Sequence, residues 1–81
     1  SSSEEGKLEF TIYLNEELAR LVKETKETLS IQEIKSDKDM ISKTNKVLDF
    51  LNEFKPKEPS KEMLERLLKI QQFVVEAKKD V

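Results

Sequence analysis

Few side chains in this sequence are suited to bond-making chemistry, because its 81 residues include neither cysteine nor histidine. Disulfides, thiol nucleophiles, Cys/His zinc sites and Ser-His-Asp triads are thereby excluded. Asp37 and Asp39 have the spacing that opens a calcium-binding loop, but Ser42 and Leu48 stand where that loop needs glycine and a bidentate glutamate. We therefore expect no enzyme activity, no cofactor and no metal site, and the sequence favours a binding protein.

The side chains best suited to recognising a ligand lie in residues 7–14. Apolar residues alternate strictly with polar ones there, and a period of two with β-branched and aromatic residues predicts a β-strand with one apolar face. The opposite face would present Glu9, Thr11 and Tyr13 to solvent. Glutamate accepts a hydrogen bond from cytosine N4, threonine donates to or accepts from base edges, and tyrosine stacks or reaches a phosphate. These three residues are therefore candidate DNA contacts.

That strand is the only one the sequence predicts, so its backbone N–H and C=O groups have no partner within the chain. A second copy of the strand supplies the partner, and two identical strands paired about a two-fold axis form an antiparallel ribbon. Such a ribbon fits the major groove of B-DNA, which is about 12 Å wide. We therefore expect a homodimer that binds double-stranded DNA at a pseudo-palindromic site.

The rest of the sequence predicts three helices, so the expected fold class is mainly α with one N-terminal strand. Asn15 suits the N-cap of the first helix. The second helix begins at Asp37 or at Ser42, which the sequence leaves open, and ends near Phe54 before two prolines. Ser60 caps the last helix. The expected organisation is a flexible tail at 1–6, a strand-helix-helix domain at 7–54, a linker at 55–60 and a C-terminal helix at 61–81.

Two segments of the chain resemble the ribbon-helix-helix DNA-binding repressors of the Arc/MetJ type. The first is Leu8-Glu-Phe-Thr-Ile-Tyr-Leu14 followed by Asn15-Glu-Glu-Leu18, and the second is Ser42-Lys-Thr-Asn-Lys-Val47. The resemblance covers residues 7–54. It implies a ribbon-helix-helix homodimer whose intermolecular two-stranded ribbon enters the major groove, and it implies a sequence-specific transcriptional regulator.

The resemblance also implies roles for particular residues. Glu9, Thr11 and Tyr13 would read bases, and backbone N–H groups at the start of the second helix would hold a phosphate. The expected phosphate contacts are Lys7, Ser42, Lys43 and Thr44. The C-terminal helix is additional to this family, and we expect it to extend the dimer interface. The expected dimer core is Leu8, Phe10, Ile12, Leu14, Leu18, Val22, Val47 and Leu51.

The composition bears on the cellular setting. The sequence has no apolar run long enough for a membrane span or a signal peptide, so we expect an intracellular protein with no membrane partner. One glycine, two prolines and abundant Lys and Glu are typical of thermophilic proteins, and also of helical proteins generally. The compact, cysteine-free chain resembles small regulators of archaeal spindle-shaped viruses, which would place it in the host cytoplasm.

Two other interpretations stay open at this point. The net charge of −2 and the lack of a basic patch favour a dimeric protein-interaction module, antitoxin-like or an adaptor, that places its C-terminal helix in a partner's groove. In the third interpretation, residues 8–14 are not a strand, and the chain is a purely helical assembly protein.

Overall fold

The computed structural model describes residues 2–54 and 60–80. They form three helices, which we number α1 (Ser2–Lys35), α2 (Lys38–Glu53) and α3 (Lys61–Lys79). Both shorter helices pack against α1. The short connection after α1 turns α2 back antiparallel to it. At the end of α3, the Lys35 Nζ donates to the backbone oxygen of Asp80 at 3.2 Å, so α3 ends beside the end of α1 and runs parallel to it.

The prediction of a strand at residues 7–14 is wrong. These residues belong to α1, and the described ranges 2–54 and 60–80 contain no strand, so the chain is all-α and has no element from which to form the expected ribbon. The alternation misleads because Phe10 and Leu14 are four residues apart, as are Leu8 and Ile12. Residues four apart share a helix face, so the same four apolar side chains also suit a helix, as two pairs on different faces.

The core follows a seam of alternating three- and four-residue steps along each helix, the spacing of left-handed helical bundles. At one end of the bundle the buried side chains of the seam are aliphatic, whereas the other end contains buried threonines and a glutamine. The bundle therefore has an apolar end and a polar end. The α1 seam comprises Leu14, Leu18, Leu21, Thr25, Thr28 and Gln32, and the α3 seam comprises Met63, Leu67, Ile70, Val74 and Ala77.

Local capping chemistry sets most of the helix boundaries. Asp37 is the N-cap of α2, and its carboxylate accepts from the Met40 N–H at 3.3 Å, which decides between the two starting points that the sequence left open. The helix ends before Phe54, as predicted. Ser60 caps α3 by accepting from the Met63 N–H at 3.1 Å, also as predicted. The first helix differs: α1 continues through Asn15, which caps nothing.

The first helix begins before residue 7, where the expected domain starts. Residues 2–6, expected as a flexible tail, are the first residues of α1. The molecule measures 52 × 20 × 18 Å, and its length is that of α1, since a helix rises about 1.5 Å per residue. The expected linker at 55–60 lies outside the described residues except for Ser60.

The turn after α1 places a serine in a conformation that favours glycine. Ser36 has φ of 56°, in the left-handed region. Its N–H donates to the Glu33 oxygen and the Asp37 N–H donates to the Gln32 oxygen, each at 3.1 Å, which is the Schellman pattern of a helix C-terminus.

Replacing Ser36 with glycine is therefore expected to raise the free energy of unfolding. Relief of the left-handed strain outweighs the greater unfolded-state entropy of glycine by about 0.5–1 kcal/mol. Urea denaturation followed by circular dichroism measures the change. The matched control is Ser30→Gly within α1, which should lower stability; a loss of stability in Ser36→Gly would show that the turn is misassigned.

Candidate functional site

The three predicted base contacts lie on α1 but do not share one face. Successive helix residues turn by about 100°, which puts Thr11 on the side opposite to Glu9 and Tyr13. Thr11 is also half-buried, and its hydroxyl donates to the backbone oxygen of Lys7 at 2.9 Å. The structure therefore does not bring the three side chains together as one reading surface.

The predicted phosphate contacts are also separated. Lys7 lies on α1, whereas Ser42 and Lys43 lie on α2, and all three are exposed. Thr44 is 1% exposed and belongs to the core. Because α2 begins at Lys38, the N–H groups of residues 43 and 44 lie beyond the first turn, where helix amides are already paired. They do not form an amide-lined phosphate site.

The residues expected in a dimer core divide into two groups. Leu8 and Ile12 are exposed in the single chain, at 62% and 50%. The others lie in or against a core that one chain forms alone, so that core needs no second copy. These are Phe10, Leu14, Leu18, Val22, Val47 and Leu51.

A cleft between α2 and α3 is the feature best suited to binding. Both helices pack on α1 and make little backbone contact with each other, so an open channel of about 360 Å³ remains between them. Its floor is apolar. We define this α2–α3 cleft by its floor residues Val47, Phe50, Ile70 and Phe73 and by three cations on its walls, Lys46, Arg66 and Lys69.

The three cations of the α2–α3 cleft have no carboxylate partner among the described residues. Lys46, Arg66 and Lys69 are all exposed, and the ion pairs found in residues 2–54 and 60–80 involve other side chains. The Arg66 guanidinium lies 4.9 Å from the centroid of the Phe50 ring, a cation–π contact that leaves its hydrogen-bond donors free for a ligand. Phe50 also packs on Phe54, at 5.5 Å between centroids.

No protein family, curated protein or solved structure matches this chain. The site is therefore interpreted from its geometry. Within the described ranges, no three acidic side chains converge to hold a metal ion. No described helix is both long and apolar enough to cross a membrane.

The charged side chains between α1 and α3 form ion pairs, unlike the cations of the α2–α3 cleft. Arg20 binds Glu17 at 2.7 Å and Glu24 at 3.0 Å, and Lys78 of α3 approaches Glu24 at 3.5 Å. The hydrogen bond from Arg20 lowers the pKa of Glu17 below its ordinary value, and the same bond raises the pKa of Arg20. Each cation here is paired, whereas Lys46, Arg66 and Lys69 of the α2–α3 cleft form no ion pair within the described residues.

Sequence reasoning missed this cleft, although the sequence contains a signal for it. Lys46 precedes Phe50 by four residues in α2, and Lys69 precedes Phe73 by four residues in α3. A cation and an aromatic ring four residues apart share a helix face. The repetition of that pair in two helices could have indicated a common basic and aromatic surface.

Proposed function

We propose that this chain is a protein-interaction module whose α2–α3 cleft binds an acidic amphipathic helix of another protein. The observation that carries the proposal is the set of three unpaired cations, Lys46, Arg66 and Lys69, around an apolar floor. The partner's apolar face would cover the floor while its carboxylates pair with the cations.

The shape of the cleft supports a helix as the ligand. Small-molecule sites enclose most of their ligand, whereas this cleft is an open channel between two helices. Val47 and Phe50 of α2 are three residues apart, as are Ile70 and Phe73 of α3, so each helix contributes apolar side chains to the floor about one helical turn apart. A partner helix with anchors at i, i+3 or i+4, and i+7 matches that spacing.

The charge of the cleft supports an acidic partner. Although the chain carries a net charge of −2, the three cations give the α2–α3 cleft a local positive charge. Opposite charges across an interface speed association and exclude partners of the wrong sign. Arginine in particular binds carboxylates through two parallel hydrogen bonds, so Arg66 is the expected centre of the polar contact.

Double-stranded DNA binding is the second candidate, and the same three cations support it. Against it, the cations line a concave channel rather than an element that could enter a DNA groove. Single-stranded nucleic acid would stack its bases on exposed rings, but the Arg66 guanidinium already covers Phe50. The helix proposal uses both the cations and the apolar floor.

We place the interaction inside a cell. Extracellular domains of this size usually depend on disulfides, and the chain has no cysteine. The proposal therefore needs an intracellular partner that presents an acidic helix.

The proposal predicts that charge reversal in the cleft abolishes binding of an acidic helix. The probe is a labelled amphipathic peptide of about 20 residues, long enough to be helical, with leucines on one face and glutamates on the other. Fluorescence anisotropy should give micromolar binding to the natural chain. The double variant Lys46→Glu/Lys69→Glu should weaken binding by roughly tenfold or more, a loss of at least about 1.4 kcal/mol.

A matched control separates the cleft from overall charge. Lys23→Glu/Lys26→Glu changes the net charge by the same amount on exposed positions of α1, and should leave the affinity nearly unchanged. A peptide with lysines in place of the glutamates should not bind. Equal affinity for both peptides, or equal losses in both double variants, would contradict the proposal; tighter binding of a random DNA duplex than of the acidic peptide would favour the DNA candidate.

A further inference from the structure

We infer that the start of α1 in one copy of this chain binds in the α2–α3 cleft of a second copy. The contact is made by the α1 outer face, the side of the helix turned away from α2 and α3. This face consists of Glu5, Leu8, Glu9, Ile12 and Glu16. The inference rests on the proposed function, since it supplies the cleft with one particular acidic amphipathic helix.

The α1 outer face lies opposite the core and is uncovered. Glu5 and Leu14 are nine residues apart, which puts them on opposite sides of the helix. Leu14 is 2% exposed, whereas Leu8 and Ile12 are 62% and 50% exposed. The helices α1 and α3 have 34 and 19 residues and end side by side, so α1 projects about 15 residues, or roughly 20 Å, beyond the start of α3. The described residues therefore leave both apolar side chains in solvent.

The charges of the α1 outer face complement those of the α2–α3 cleft. Three exposed carboxylates flank its apolar side chains and form no ion pair within residues 2–54 and 60–80: Glu5, Glu9 and Glu16. Lys7 is seven residues before Leu14, so it lies on the core side, away from this face. The cleft has three cations around an apolar floor. Each surface thus offers the charge and the apolar contact that the other needs.

The other exposed apolar patches of the described residues fit the cleft less well. The patch around Leu68 of α3 has Lys61 and Lys79 at its two ends, one turn beyond its outermost apolar side chains. At the end of α1, the exposed Ile34 adjoins Lys35. Either patch would bring lysines against the cations of the cleft, and like charges repel. The charges that flank the α1 outer face are carboxylates, so this patch is the one that matches.

The occupant of the cleft must then come from a second copy. The helix α1 is continuous from Ser2 to Lys35, and both α2 and α3 pack against it, so its outer face and the cleft lie on opposite sides of one bundle. The face cannot reach the cleft of its own chain, but every other copy presents one. Because the two joined surfaces differ, each added copy leaves one of each kind free. Association is therefore head-to-tail, and it forms a row or ring of copies.

The self-contact should be weak. The α1 outer face supplies two apolar anchors, Leu8 and Ile12, whereas a helix that fills such a groove usually supplies three or more. A contact of this small size is typically transient, and we expect a dissociation constant of about 100 µM. At micromolar concentrations the chain is then monomeric, and the acidic helix of another protein can displace the self-contact from the cleft.

The test is the average mass in solution, measured by sedimentation equilibrium from about 10 µM to about 1 mM. The natural chain should rise from the mass of one copy to more than that of two. Glu5→Lys/Glu9→Lys and Lys46→Glu/Lys69→Glu should each raise the dissociation constant by roughly tenfold or more, because like charges then meet. An equimolar mixture of the two variants should associate again, since the reversed face of one matches the reversed cleft of the other.

The matched control is Glu27→Lys/Glu33→Lys, which makes the same change of net charge at exposed positions elsewhere on α1. It should associate like the natural chain. All the substituted residues are exposed, so each variant should keep a helical circular dichroism spectrum. Three results would overturn the inference: a natural chain that stays monomeric at every concentration, a mixture that stays monomeric, or equal losses in the control and in Glu5→Lys/Glu9→Lys.

The leucine–glutamate peptide separates this inference from the proposed function. Because both compete for one cleft, saturating peptide should return the associated natural chain to monomers. If the peptide binds but leaves the associated chain intact, or binds a chain that never associates, the self-contact is contradicted and the proposed function stands. If the peptide does not bind and the mixture of variants still associates, the proposed function is contradicted and the self-contact is supported.

Discussion

Replacement of Leu14 with alanine is expected to lower the free energy of unfolding by about 2–5 kcal/mol, the usual range for a leucine removed from a packed core. Leu14 is only 2% exposed, at the apolar end of the bundle. A domain of this size is stable by only about 5–15 kcal/mol, so the variant should lose a large part of its stability. Urea denaturation monitored by far-ultraviolet circular dichroism measures the loss.

The control for Leu14→Ala is Leu8→Ala in the same segment. A ribbon would bury both leucines on one face, whereas the helix buries Leu14 and leaves Leu8 exposed. Leu8→Ala should therefore change the free energy of unfolding by less than about 0.5 kcal/mol, as exposed substitutions usually do. Comparable losses of unfolding free energy in Leu14→Ala and Leu8→Ala would contradict the helical placement of residues 8–14.

The second large effect is a gain of stability at the polar end of the core. Both amide atoms of Gln32 and the hydroxyl of Thr44 are buried and have no hydrogen-bond partner among the described residues. A buried polar group without a partner costs about 1–3 kcal/mol. Gln32→Leu should remove a penalty of that size and bury additional apolar surface. Thr44→Val should remove the penalty without changing the shape of the side chain. In a chain of this length each kcal/mol raises the melting temperature by roughly 4–8 °C.

Two other buried threonines are the matched controls. The hydroxyl of Thr25 donates to the Leu21 oxygen at 2.6 Å, and that of Thr28 donates to the Glu24 oxygen at 2.8 Å. Their replacement with valine removes a hydrogen bond that is made, so it should not stabilise the protein. If Gln32→Leu and Thr44→Val melt at no higher temperature than these controls, the assignment of unpaired polar groups would be contradicted.

The sequence predicted the parts of the fold that depend on local chemistry. Ser60 caps α3 because its side-chain oxygen accepts from an N–H three residues ahead, and the chain around it suffices for this. The start of α2 was narrowed to two positions, and the structure selects the one at Asp37. The end of α2 at Phe54 follows from the prolines that come after it. Such features depend on few neighbours, so they can be read without the tertiary structure.

The first helix could not be predicted in the same way. Residues 7–14 satisfy a strand period, and they also satisfy the start of the three- and four-residue seam that continues through Leu18 and Leu21. The seam extends well beyond the alternation, and the long pattern determines the element. The predicted strand rested on a short alternating run, and the predicted ribbon rested entirely on that strand.

The candidate site was missed for a different reason. Lys46 and Phe50 lie on α2, whereas Arg66, Lys69 and Phe73 lie on α3, and only the packing of both helices on α1 brings them together. No single segment contains the cleft. Spacing alone would also have paired Lys69 with Glu65, four residues before it, but they form no ion pair in the structure.

The most direct test of the proposed function is to map where an acidic helix binds, using amide chemical shifts of the isotopically labelled chain during titration with the leucine–glutamate peptide. We expect the largest shifts at Val47, Phe50, Ile70 and Phe73, with little change at Tyr13 and Leu68. That result would place the peptide in the α2–α3 cleft. Shifts concentrated at Tyr13 and Leu68, or no shifts at saturating peptide, would contradict the account.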